Sequence, residues 1–113
     1  MKKKVAIIGV TGSVGQEFVV SLRDHPWFEV TQIAASERSA GKKYLDAIKD
    51  PNSGITNWQV GENIPDYIKD MTVVSVDDLK VKDLDLVFSS IESEAAKEIE
   101  ARFAKDVPVI STS

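Results

Sequence analysis

The stretch VAIIGVTGSVGQEFVVSL, from Val5 to Leu22, constrains this chain more than any other. Its apolar run, Val5 to Val10, is rich in β-branched residues, the pattern of a strand buried on both faces of a parallel sheet. Glycines follow at Gly9, Gly12 and Gly15, and a helical pattern opens at Ser13. Strand, glycine turn and helix in that order form a cradle for the phosphates of a dinucleotide.

The three glycines have separate tasks. Gly9 lets the chain turn tightly out of the strand, Gly12 lets backbone approach a pyrophosphate, and Gly15 lets the helix pack on the strand. Free N–H groups and the positive end of the helix dipole then face the phosphates, and Thr11 and Ser13 add hydroxyl donors. The spacing is G-x-x-G-x-x-G rather than G-x-G-x-x-G. Three glycines alone would equally describe a structural turn. The strand and helix around them point to nucleotide binding.

Bulk properties narrow the class. At 113 residues the chain is read as one domain, residues 1–113, small for a complete two-substrate enzyme. Hydrophobic content of 42% and charged content of 28% are ordinary for a globular protein. With a net charge of −4 and its basic cluster confined to Lys2, Lys3 and Lys4, the chain offers no nucleic-acid surface. It has no cysteine, hence no disulfide, thiolate metal site or thiol nucleophile, and a single histidine, His25. No secretory signal and no apolar run near the roughly 18 residues of a membrane span is present. A cytoplasmic domain that binds neither nucleic acid nor membrane is expected, with no metal site.

Along the chain, a helix is predicted from Ser13 to about Asp24, with Val14, Phe18 and Leu22 as its buried stripe and Pro26 closing it. Phe28 to Ala35 is a second strand. From Tyr44 to Met71 periodicity is poor; Pro51 to Gly54 marks a turn, and Pro65 opens a short helix carrying Ile68. Val73 to Val76 and Leu84 to Phe88 are further strands. A helix from about Ser93 to Lys105 follows, with Ala95, Ile99 and Phe103 on one face and an i,i+4 pair, Glu98–Arg102, on the other. Val107 to Ile110 is the fifth strand.

Strands alternating with crossovers give a Rossmann-type α/β fold, a five-stranded parallel sheet of order 3-2-1-4-5 with helices on both faces. One link is short. Asp77 to Asp83, between the third and fourth strands, falls below the dozen residues a covered parallel crossover usually needs. That sheet face is therefore expected to be under-covered, and to be buried by a separate catalytic domain or a second copy.

The end of the second strand bears on which cofactor is held. An NAD site usually offers an acid to the ribose 2′-hydroxyl, but here the strand ends Ala34-Ala35-Ser36 and Arg38 follows between Ser36 and Ser39. An arginine flanked by hydroxyls suits a 2′-phosphate, so NADP is expected; the plain alternative is a solvated loop arginine. Ser89 and Ser90, at the end of the fourth strand, are candidates to reach the nicotinamide ribose or pyrophosphate, or simply to cap the strand. Glu92 and Glu94 read as solvated acids at a helix start, His25 as a loop residue, and Trp27 and Trp58 as packing or surface aromatics.

The residues IIGVTGSVGQEFVVSLRDHPWFEVTQIAASERSAGKKY, with DLVFSS and VPVIS, resemble the amino-terminal domain of aspartate-semialdehyde dehydrogenase. The likeness is to the archaeal and fungal branch, where SERSAGK is a signature. That family reduces aspartyl 4-phosphate to the semialdehyde with NADPH, through a cysteine thioester and a histidine acid/base. The resemblance implies that Thr11, Gly12, Ser13 and Val14 line the pyrophosphate, with Ser36, Arg38 and Ser39 at the 2′-phosphate. Family members usually continue the last strand with Asn-Ala-Ser, against Thr112-Ser113 here, and carry a Leu-Pro pair where this chain has Ser90-Ile91-Glu92.

The substrate does not follow from this domain, since malonyl-CoA reductases share it. N-acetyl-glutamyl-phosphate reductases have a similar glycine turn and a His-Pro like His25-Pro26, but not usually SERSAGK. Short-chain reductases would need a Tyr-x-x-x-Lys, whereas Tyr44 is followed four residues on by Ile48. Two readings remain: the NADP-binding domain of such a reductase, or a nucleotide-binding module without catalysis. Lacking a cysteine, the chain alone is expected to be inactive.

Overall fold

The computed structural model describes residues 2–50, 52–91 and 95–111. Pro51, Glu92, Ser93, Glu94, Thr112 and Ser113 lie outside the described residues, and with them the expected helix start and its acids. Five strands, β1 (Lys3–Ile8), β2 (Phe28–Ala35), β3 (Val73–Ser75), β4 (Leu86–Ser89) and β5 (Val109–Ser111), form one parallel sheet. Its order is β3-β2-β1-β4-β5, as expected.

Residues of β1 alternate between two cores because successive side chains of a strand point to opposite faces. Val5 and Ile7 join Val19, Leu22, Ile33, Tyr44, Ile48 and Ile68 on one face. Ala6 and Ile8 join Ala34, Leu79, Leu84, Val87, Phe103 and Val107 on the other. The first face carries α1 (Ser13–Ser21), α2 (Tyr44–Ala47) and α3 (Asp66–Lys69), and the second carries α4 (Ala95–Ala104). None of the described helices is long and apolar enough to cross a membrane.

α1 ends earlier than Pro26 demands. Leu22 caps it, and Asp24 adopts a positive φ of 52° that turns the chain away. Within the helix the most buried residues are Gly15, Gln16 and Val19; of the expected stripe, Leu22 lies in the core and Phe18 packs against it, while Val14 does not. Glycine at position 15 lets the helix sit so close to β1 that the residues beside it become the inner face. Val14 is left half-buried at the sheet's carboxyl edge.

In β2 the register against β1 shifts at one point: Val5 lies opposite Val30, but Ala6 opposite Gln32. The extra residue, Thr31, explains why the buried Val30 and Ile33 are three apart rather than two. The bulge also turns Gln32 toward the second face. There its carboxamide grips the main chain of Lys80, donating to the carbonyl at 3.1 Å and accepting from the N–H at 2.8 Å.

That grip corrects the expectation of an under-covered face. The connection from β3 to β4 folds into two single 3-10 turns, Val76–Asp78 and Val81–Asp83, which lay Leu79 and Leu84 on the sheet. Ala6, Ile8, Ala34 and Val87 are fully buried as a result. A short link covers the face because each turn contributes one leucine. The Glu98–Arg102 pairing is also revised, since the Arg102 guanidinium lies 2.8 Å from Asp77 on the first of these turns.

Candidate functional site

The carboxyl ends of β1, β2 and β4 meet where the connections leave the sheet in opposite directions, the usual place for a ligand in a doubly wound sheet. The glycine turn crosses this point. Gly9 has a φ of +79°, and a Cβ there would stand 2.7 Å from Ser90 Oγ. A Cβ on Gly15 would collide with Gly9 O and lie 2.8 Å from Val10 Cα. Both positions need glycine for the fold itself. Gly12 does not: its Cβ would meet only Gly9 O, at an ordinary 3.7 Å. The space a side chain would take there is open toward the cleft.

All five carbonyls from Ile8 to Gly12 accept hydrogen bonds from within the protein. Ile8 O accepts from Ser90 N at 3.0 Å, Gly9 O from Gly12 N at 3.2 Å and Gly12 O from Gln16 N at 2.9 Å. Val10 O accepts from the Tyr44 hydroxyl at 3.0 Å, and Thr11 O from Gln16 Nε2 at 3.1 Å. The N–H groups of Thr11, Ser13 and Val14 take part in none of these bonds. The turn thus spends its acceptors inward and keeps donors at its surface. α1 has no acid in its first turn, and its N-cap, Gly12, makes no side-chain bond, so nothing on the helix offsets its positive end.

Burial, with a smaller contribution from Tyr67, pushes the Tyr44 phenol well above its ordinary pKa. It therefore stays a neutral donor to Val10 O at any ordinary pH.

Two grooves flank the turn. The first, about 420 Å³, is lined by Gly9, Thr11, Gly12, Ser13, Val14 and Ser90, among others, with Val76, Ile91 and Ile99 as an apolar wall. The second, about 440 Å³, is lined by Arg38, Ser39, Lys42, Lys49, Asp50 and Asn57. Thr11 and Ser36 line both, so the two lie side by side. The loop after β2 makes a turn in which Ser36 O accepts from Ser39 N at 2.9 Å, leaving Arg38 exposed at its tip. Gly41 and Lys42 tie the loop to β3 through Val73, by bonds of 2.7 and 2.8 Å. Arg38, Lys42 and Lys49 share the lining with one carboxylate, Asp50, which already accepts the N–H groups of Asn52 and Ser53, while Lys49 also pairs with Asp46 at 3.7 Å. The second groove is a cationic ledge suited to a phosphate.

Of the sequence-predicted residues, Gly9, Thr11, Gly12, Ser13, Val14, Ser36 and Ser90 line the first groove, and Arg38 and Ser39 the second. Gly15 and Ser89 line neither. Gly15 acts in packing, and Ser89 is fully buried within β4. The Ser90 hydroxyl, 3.0 Å from both Ile8 O and Gly9 O, clamps β4 to the turn. His25 sits beside the start of β2, at the far end of the sheet, where its Nδ1 accepts the Trp27 N–H at 3.1 Å. Sequence reasoning missed Gln16, Lys42, Lys49 and Asn57. Lys42 stands inside SERSAGK and was legible there. Gln16 was visible only as a polar residue on a helix face that should be apolar.

A donor-lined turn at the switch point of a parallel sheet, joined to a cationic ledge past the second strand, defines a dinucleotide-binding domain. Residues 4–113 match the model of the semialdehyde dehydrogenase NAD binding domain, and the chain belongs to that family. It is 40% identical over 113 residues to the aspartate-semialdehyde dehydrogenase of Archaeoglobus fulgidus, covering 100% of this chain and 30% of that protein. The structure of the Candida albicans aspartate-semialdehyde dehydrogenase with NADP superposes with a TM-score of 0.85 at 36% identity, over 100% of this chain and 30% of the other. A malonyl CoA reductase (NADP) of Metallosphaera sedula is 35% identical over 102 residues, 90% of this chain and 26% of that protein. The chain thus spans less than a third of the length of these relatives.

Proposed function

We propose that this chain is the NADP(H)-holding domain of a cytoplasmic reductase of the aspartate-semialdehyde dehydrogenase kind. The observation that carries the reading is the adjacency of a donor-lined turn and a cationic ledge, which share Thr11 and Ser36. In this reading Thr11, Gly12, Ser13 and Val14 hold the pyrophosphate, while Ser36, Arg38 and Ser39, joined by Lys42, hold the 2′-phosphate. The open space before Gly12 fits a phosphate against backbone. Relatives whose names carry NADP support the choice of cofactor.

Bound NADPH supplies a hydride. The chain's own residues bind and orient it: the turn fixes the pyrophosphate, and the wall of Val76, Ile91 and Ile99 shields one side of the groove from water. Reductive dephosphorylation of aspartyl 4-phosphate through a thioester needs a thiol, and these residues contain no cysteine. The thiol is assigned to a separate catalytic domain, and the chain alone is inactive in this reading. Malonyl-CoA reduction is the second reading, resting on the Metallosphaera relative; a binding module without catalysis is the third, resting on the missing thiol.

Calorimetry with NADPH and NADH, repeated for Arg38→Ala, tests the cofactor assignment. Loss of a charged hydrogen bond weakens NADPH by about 1.5–3 kcal/mol and leaves NADH nearly unchanged. Equal losses for both cofactors overturn it.

A further inference from the structure

One of the buried polar side chains lines neither groove yet bonds to residues that do. Gln16, on the first full turn of α1, is only 1% exposed. Its carboxamide is fully engaged with main chain. Nε2 donates to Thr11 O at 3.1 Å and to Asn57 O at 2.9 Å, and Oε1 accepts the N–H of Gln59 at 2.7 Å. One side chain thus joins the phosphate turn to a segment about forty residues further along the chain.

That segment is otherwise held by scattered contacts: Trp58 and Ile64 pack against the first core, Trp58 Nε1 donates to Glu62 O at 2.6 Å, and Arg23 pairs with Glu62 at 3.4 Å. Among the described residues, no helix or strand lies between α2 and α3. Asn57 N donates to Ile48 O at 2.8 Å, and Lys49 and Thr56 form an isolated bridge. Yet the segment contributes to the second groove, because Asn57 lines it together with Arg38 and Ser39. Thr11 belongs to both grooves, so the carboxamide spans from the turn that faces one phosphate to the floor of the ledge that faces another.

The geometry points to Gln16 as a positioning residue that sets the distance between the glycine turn and the ledge, and through it the preference for a 2′-phosphorylated dinucleotide. The assignment rests on the cofactor reading above and adds a residue that does not touch the ligand. A buried carboxamide suits the task, since it offers two donors and one acceptor in a plane and carries no charge to repel a phosphate. Without it, three part-buried main-chain groups lose their partners, and the segment is free to shift as water replaces them.

The test uses Gln16→Met, which keeps the volume but no hydrogen bonds, and Gln16→Glu, which keeps the acceptor for Gln59 but presents a carboxylate. Two readouts are taken on the full chain: the ratio of NADPH to NADH dissociation constants, and amide hydrogen exchange at Asn57–Gln59 without cofactor. Gln16→Met is expected to speed exchange at Gln59 about tenfold and to shrink the cofactor preference about tenfold, mainly through weaker NADPH binding. Gln16→Glu is expected to keep Gln59 protected yet lose the preference, and it decides the cofactor arm if the methionine variant fails to fold. A wild-type chain with no NADPH preference overturns the 2′-phosphate reading of the ledge and the coupling with it. A wild type with that preference, and variants that retain it or lose both cofactors equally, overturn the role of Gln16 alone.

Discussion

The hydroxyl of Tyr44 reaches from the start of α2 to the carbonyl of Val10, 3.0 Å away, with the whole side chain buried. It is the bond that keeps the middle carbonyl of the glycine turn out of the cleft. Tyr44→Phe leaves that carbonyl without its donor, and a loss of about 1–3 kcal/mol in unfolding free energy is expected. Urea titration at neutral pH measures it.

The same phenol predicts how stability varies with alkali. Burial raises the Tyr44 pKa in the folded protein above the ordinary value of about 10. Below that value both states hold the proton and the full stability is present. Above it the unfolded chain releases its proton first, so stability falls by up to about 1.4 kcal/mol per pH unit until the folded pKa is reached. Unfolding curves from pH 9 to pH 11.5 are expected to shift less steeply for Tyr44→Phe than for the wild type. Identical slopes would show that the phenol titrates alike in both states.

Two of the glycines separate fold from function. A methyl group at Gly15 meets only backbone, at Gly9 O and Val10 Cα, and backbone cannot rotate aside. Gly15→Ala is expected to lower stability by about 3 kcal/mol. At Gly12 the φ of −77° suits any residue and the nearest atom leaves room. Gly12→Ala is expected to stay within about 1 kcal/mol of wild type, the cost of a poorer N-cap, and yet to lose most of its cofactor affinity. Thermal melts alongside calorimetry distinguish the two.

How much of this was legible in the sequence depended on whether the signal was local. The β-branched run of β1, the spacing of the glycines and the SERSAGK loop are each local signals, and the structure brings all three to the two grooves. The bonds of Gln16 and Tyr44 end on the carbonyls of Thr11, Asn57 and Val10, groups that every residue carries, so nothing in the partner's identity announces them. The bulge at Thr31 left only an irregular spacing between Val30 and Ile33. The cover of the second face depended on Gln32 gripping Lys80, a side-chain-to-main-chain contact of the same silent kind.

The ion pair between Arg102 and Asp77 fastens α4 to the first 3-10 turn, but both side chains are more than half exposed. Solvent screens such a pair, so Asp77→Asn is expected to cost no more than about 0.5 kcal/mol. Its sensitivity to added salt is expected to be equally small. A loss several times larger, seen by urea titration at low salt, would mean that the turn depends on this contact to cover the sheet.

Ser90 brings the two grounds for conserving a hydroxyl at the cleft into direct competition. It lines the first groove, as a cofactor ligand would, but its Oγ already lies 3.0 Å from Ile8 O and from Gly9 O. A hydroxyl has one proton, so donation to either carbonyl leaves only its lone pairs for a ligand, and lone pairs repel a phosphate oxygen. The clamp is therefore the stronger assignment. Ser90→Ala removes the clamp but spares the backbone bonds that Ile8 O and Gly9 O also accept, so a loss of about 1 kcal/mol in stability is expected. NADPH affinity is expected to change by less than about threefold, since all five carbonyls of the turn keep their other bonds and its N–H donors are untouched. A variant as stable as wild type but much weaker for NADPH would reverse the assignment and make Ser90 a ligand.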